Sequence, residues 1–168
     1  MKRIICLLFA LAMMVIPLAG CSGSSDTNSS SQEETSQQTA QEKLSEVINA
    51  VYANVENSTL ADATDQILKE EFFLDPEDVE EYAVRYTDFR YGVSDVCIVK
   101  PAEGKKQDVL DAFSSRQQAR MAQCENYDIH NSYAISKGAE IYERGGYVIM
   151  LMLPDNESAK KIIEQYLI

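Results

Sequence analysis

Histidine is almost missing from this chain: His130 is the single one in 168 residues. A Ser or Cys triad needs a histidine beside its nucleophile. His130 stands in a polar turn, Asp128-Ile129-His130-Asn131, and reads as a loop residue. Ser114 and Ser115 lie outside any nucleophile-elbow pattern. Cysteine and histidine never cluster at metal-ligand spacing, so no zinc site is expected. Basic charge is short as well, with 15 Lys and Arg against 27 Asp and Glu and a net charge of −12. That balance argues against nucleic acid and against anionic lipid headgroups as direct partners. The apolar runs all fall short of the ~18–20 residues that a membrane-spanning helix needs.

What the chain does have begins at its N-terminus. Lys2 and Arg3 precede an uncharged apolar stretch from Ile4 to Ile16, closed by Pro17. Leu18-Ala19-Gly20-Cys21 follows, in the order of a lipobox. We expect residues 1–20 to be a lipoprotein signal peptide and Cys21 to carry a diacylglycerol on its sulfur. Such a protein sits on the extracytoplasmic face of the cell membrane, held by its acyl chains. Cys6 lies inside the signal and would be lost with it. Ser22 to Gln41 is a polar tract of twenty residues, ten of them Ser or Thr. It buries too little surface to offset chain entropy, so 21–41 reads as lipidated cysteine and disordered linker. A flexible chain of that length reaches ~25 Å. Residues 42–168 then form one domain.

Within the domain, Leu44, Val47, Ile48, Val51, Tyr52 and Val55 recur at helical spacing. A short helix is expected over Thr64–Glu70, with Phe72, Phe73 and Leu74 packing after it. Asp75-Pro76-Glu77-Asp78 is a helix-start signature: cap, N1 proline and acids at the positive dipole end. From Tyr82 the period becomes two, which predicts a half-buried strand. Val96-Cys97-Ile98-Val99 is apolar on both sides and reads as a central strand ended by Pro101. A helix from about Glu103 to Cys124 turns Val109, Leu110, Phe113 and Met121 inward. Gly145-Gly146 separates two strand patterns and marks a tight hairpin. Asp155 caps a last helix carrying Ala159, Ile162, Ile163, Tyr166 and Leu167 at helical spacing. The expected order is α-α-α-β-β-α-β-β-α. We read an α+β fold with a mostly antiparallel four-stranded sheet and helices on one face. Cys97 on its strand and Cys124 at the end of a helix ~30 Å long are read as unbridged, since a disulfide needs Cα atoms within ~7 Å.

Three pieces carry a resemblance: Asp95-Val96-Cys97-Ile98-Val99-Lys100, the helix holding Arg116-Gln117-Gln118, and Gly145-Gly146-Tyr147-Val148-Ile149 with a short C-terminal helix. Over about Leu44–Leu167 the chain resembles a family of small bacterial lipoproteins with no assigned function, typical of Gram-positive anaerobes. The resemblance implies the same layout of signal, lipobox, polar linker and one domain. It brings no catalytic residues with it.

The remaining candidates for chemistry are thin. Asp75, Glu77 and Asp78, with Glu80 and Glu81 beside them, are the weak metal candidates; nine acids face one base over residues 62–81. Calcium wants six to eight converging oxygens, and this stretch lacks the glycine and alternating spacing of an EF-hand loop. Ser158-Ala159-Lys160-Lys161 matches S-x-x-K without its companion motifs. Arg116 and Arg120, one turn apart, could face an anionic wall polymer; pairing with acids of the same helix is the plainer expectation. No cofactor is expected. The functional expectation is a non-enzymatic binding module of the cell envelope that meets another envelope protein. Alternatives are a small-molecule or ion-binding accessory of a transporter, or a small envelope hydrolase built on carboxylates.

Overall fold

The computed structural model describes residues 42–53 and 59–167. Cys21, the signal and the linker lie outside the described residues. The fold is α+β, built on one antiparallel sheet of five strands in the order β1-β2-β3-β5-β4. These are β1 (Leu60–Asp62), β2 (Val79–Thr87), β3 (Asp95–Pro101), β4 (Glu140–Arg144) and β5 (Tyr147–Met152). The helices are α1 (42–52), α2 (Asp65–Phe72), α3 (Lys106–Cys124), α4 (Ser132–Lys137) and α5 (Asn156–Tyr166).

β3 is the axis of the sheet, because its two faces are both apolar. Val96 and Ile98 point into one core with Ala83, Ile149 and Leu151, under α1 and α5. Cys97 and Val99 point into a second core with Val84, Val148 and Met150, under α2 and α3. The expectation of helices on one face is therefore corrected: the sheet is covered on both. A strand apolar on both sides requires two cover layers.

Four further expectations change. The strand count rises from four to five because β1, only three residues long, is too short for a period to show. It is held by pairing with β2 and by Arg85, whose Nε lies 2.6 Å from Asp62 Oδ1. The third helix shrinks to a 3-10 turn, Pro76–Asp78, after which β2 starts at once. α4 is an addition. Phe73, expected in the core, is a left-handed C-cap at φ 59° with its ring 51% exposed. The hairpin signal matches the structure, with Gly145 at φ 57° and Gly146 at φ 86° between β4 and β5.

Candidate functional site

The inward face of α3 sets up one end of the molecule. Val109 and Phe113 fill the core as expected, but Arg116 and Arg120 take the positions beyond them. Both are 1% exposed, and Asp95 between them is fully buried. Arg116 Nε donates to Asp95 Oδ2 at 3.1 Å, and its Nη2 stands 2.9 Å from the same oxygen without an aligned hydrogen bond. Arg120 Nε reaches Oδ2 and its Nη2 reaches Oδ1, each at 3.3 Å. The rest of each guanidinium is spent on neighbours. Arg116 Nη1 donates to the backbone and carboxylate oxygens of Glu71, both at 2.9 Å. Arg120 Nη2 donates to Thr87 O at 2.5 Å. The Arg116 guanidinium also lies 4.1 Å from the Phe72 ring centroid. Burial opposes the Arg116 charge, but Asp95 and Glu71 outweigh it and hold its pKa above the ordinary value. The two arginines therefore meet neither a wall polymer nor acids of their own helix. They tie α3 to β3, to α2 and to the end of β2, and being buried they present no anion site.

Around this anchor three loops meet. A 3-10 turn, Phe89–Tyr91, follows β2. A Cβ placed on Gly92 would stand 3.4 Å from Ser132 Oγ and 3.8 Å from His130 Cδ2, so this turn packs on the loop after α3. Asp95 pairs with Met152, which brings the turn after β5 to the same end. Between His130, Asn131 and α4 on one side and Leu153–Glu157 on the other lies a cleft of about 530 Å³. Ala134, Ile135, Leu153 and Pro154 make its apolar lining. His130 and Asn131 adopt consecutive left-handed conformations, at φ 53° and 60°. That is a strained pair for residues other than glycine. Asn156 fixes the opposite wall: its Oδ1 accepts from Leu153 N and its Nδ2 donates to Gly138 O, both at 2.9 Å. Asp155 caps α5, and the hydrogen bonds from Ser158 hold its carboxyl below the usual range. Glu140 pairs with Lys160 at 3.2 Å.

The acids at 75–81 do not converge. Asp75 caps its turn and pairs with Lys69 at 2.7 Å, and Asp78 pairs with Lys105 at 2.8 Å. Glu80 pairs with Lys100 at 2.8 Å, while Glu77 is exposed. Among the described residues no group of three or more His, Cys, Asp or Glu is arranged to hold a metal ion. Ser158 and Lys161 sit exposed in the first two turns of α5. Cys97 and Cys124 are free and buried in the same core. The ~30 Å separation inferred from helix length does not apply, because α3 doubles back over β3 and its last turns return to Asp95. Burial raises both thiol pKa values, Cys97 further with Asp95 beside it. Sequence reasoning missed Phe89 and Tyr91. Their signal was present as two aromatics inside a turn, Asp88-Phe89-Arg90-Tyr91-Gly92, where no strand or helix period calls for them.

Among the described residues no helix is long and apolar enough to cross a membrane. The family model described as Domain of unknown function (DUF4358) matches residues 53–153. No curated protein and no solved structure matches the chain.

Proposed function

We propose, from a chain that belongs to the family described as Domain of unknown function (DUF4358), that this protein is a membrane-tethered, non-enzymatic binding module of the cell envelope. One observation carries the location: Lys2-Arg3, the apolar stretch Ile4–Ile16 and Leu18-Ala19-Gly20-Cys21 stand in the order of a lipoprotein precursor. The lipid on Cys21 holds the domain at the extracytoplasmic face. Binding is supported by exposed aromatics beside a cleft at one end of the domain. An enzyme built on paired carboxylates needs one acid held high. The carboxyls displaced here, Asp75, Asp88 and Asp155, all move down, through hydrogen bonds first from the side chains of Lys69, Arg90 and Ser158 and then from backbone N–H groups.

Membrane fractionation of cells making the full-length protein or its Cys21→Ala variant tests the reading. The wild type stays with membranes and the variant is released with unchanged thermal unfolding. Retention of the variant on the membrane overturns the anchor. A second reading, a small-molecule receptor serving a transporter, draws on the cleft, whose volume lies in the range of small-ligand sites.

A further inference from the structure

We infer that the end of the domain opposite the tether docks a basic, apolar-anchored segment of another envelope protein, an inference that rests on the proposed tethered binding module. The direction of α1 places the two ends. Ser45 and Ile48 line a small groove with Tyr82–Arg85, Asn49 accepts from Arg85 Nη1, and Tyr52 OH donates to Ser94 O. α1 therefore runs alongside β2 toward the start of β3. Residue 42, where the chain enters, lies ~15 Å back along the helix axis, at the end where β2 begins. The far end carries the Phe89–Tyr91 turn, the loop after α3 and the turn after β5.

That far end has the features of a protein-binding surface. Phe89, Tyr91 and Tyr127 are 40%, 55% and 58% exposed, on two loops that pack together at Gly92 and His130. Aromatics of this kind serve as anchors because they bring large area with few rotatable bonds. The cleft beside them offers Ala134, Ile135 and Pro154 to an apolar side chain. Charge selects the partner. Asp88 and Arg90 neutralise each other at 2.7 Å. Glu125, Asp128, Asp155 and Glu157 outnumber the exposed Lys161 that acts on Asp155 and leave the end acidic, with Asp128 also accepting from Tyr133 N. An acidic rim around aromatic anchors complements lysine or arginine next to an apolar residue. The chain's net charge of −12 repels a second copy and an anionic lipid surface. The buried cluster of Asp95, Arg116 and Arg120 holds the loops in place from below, through Thr87 O and α3, which lowers the cost of ordering on docking.

The test places a photo-crosslinking residue at Tyr91, at Tyr127 or, as control, at Glu77 near the tether end, in the full-length protein on cells. Adducts are read by mass spectrometry as crosslinked peptides. The expected result is one protein captured from Tyr91 and Tyr127 through a peptide bearing Lys or Arg, and not from Glu77. Adding Glu125→Lys should cut that yield by about tenfold, the equivalent of one lost charge pair. Adducts to lipid, to a second copy or to an acidic peptide overturn the inference. So do equal yields from Glu77, an unchanged yield with Glu125→Lys, or no adduct from either aromatic position. Membrane fractionation of the same cells separates the two readings: an intact tether without the adduct removes the docking inference alone.

Discussion

Asp95 is the residue on which the buried charge depends. It stands between two arginines, and removing it leaves both cations without their common partner in a dry interior. Breaking a buried pair from one side costs about 3–5 kcal/mol. Asp95→Ala should lower stability by that order in urea unfolding, while Glu71→Gln, at the partly exposed end, should cost at most about 1 kcal/mol. Equal small effects would mean that the arginines find other partners. Sequence placed Arg116 and Arg120 on one face of α3 but could not find Asp95, 21 and 25 positions earlier. Local spacing reports neighbours on one helix, not a carboxylate on a strand. Tyrosines give a second residue-scale prediction. Burial pushes the Tyr142 phenol up to about 12, and also raises Tyr52, Tyr82 and Tyr147. A raised pKa in the folded state means that the unfolded chain loses its proton first. Stability from these groups is complete below about pH 10 and falls as pH rises towards about 12. Denaturant midpoints measured across pH 8–11 should decline above 10, and a flat profile would refute this.

At the scale of elements, the strand and helix periods were legible wherever an element is long and one-sided. α5 and β2 belong there, although Tyr166, placed inward by spacing, is half exposed at the last position of α5. The short pieces were not legible. β1 has three residues, and α4 has six, with Asn131 before it in a left-handed conformation. The Asp75-Pro76 signal correctly marked a capped start, but a cap cannot say whether the turn it opens continues. Phe73 shows how backbone overrides side-chain character. α2 ends in a left-handed turn, so an aromatic ring is turned out to solvent while Phe72 and Leu74 on either side stay buried. Glycine fits that conformation without the Cβ conflict. Phe73→Gly should raise stability by about 1 kcal/mol, seen as a higher thermal midpoint. A lower midpoint would show that the Phe73 ring contributes packing that outweighs the strain.

At the scale of the whole molecule, the folded unit is larger than the matched family segment. Residues 53–153 contain the sheet and the helices of one face. α1 and α5 cover the other face, where Val96, Ile98, Ile149 and Leu151 are fully buried. A fragment of 53–153 would expose this apolar layer. It should aggregate or unfold without cooperativity, whereas 42–167 should melt in a single transition. Differential scanning calorimetry of the two fragments decides this, and a cooperative transition in the shorter one would show that α1 and α5 are dispensable.

The sequence by itself determined the α+β class, the antiparallel hairpin at Gly145-Gly146, the central place of β3 and the main amphipathic helices. These follow from patterns that repeat every two or 3.6 residues and from backbone angles that only certain residues adopt. Only the tertiary structure decided that the sheet is covered twice, that Arg116 and Arg120 are buried on Asp95, and that three separate loops form one aromatic end with a cleft. Those outcomes depend on residues far apart in the chain meeting across the core, and local periodicity carries no record of such meetings.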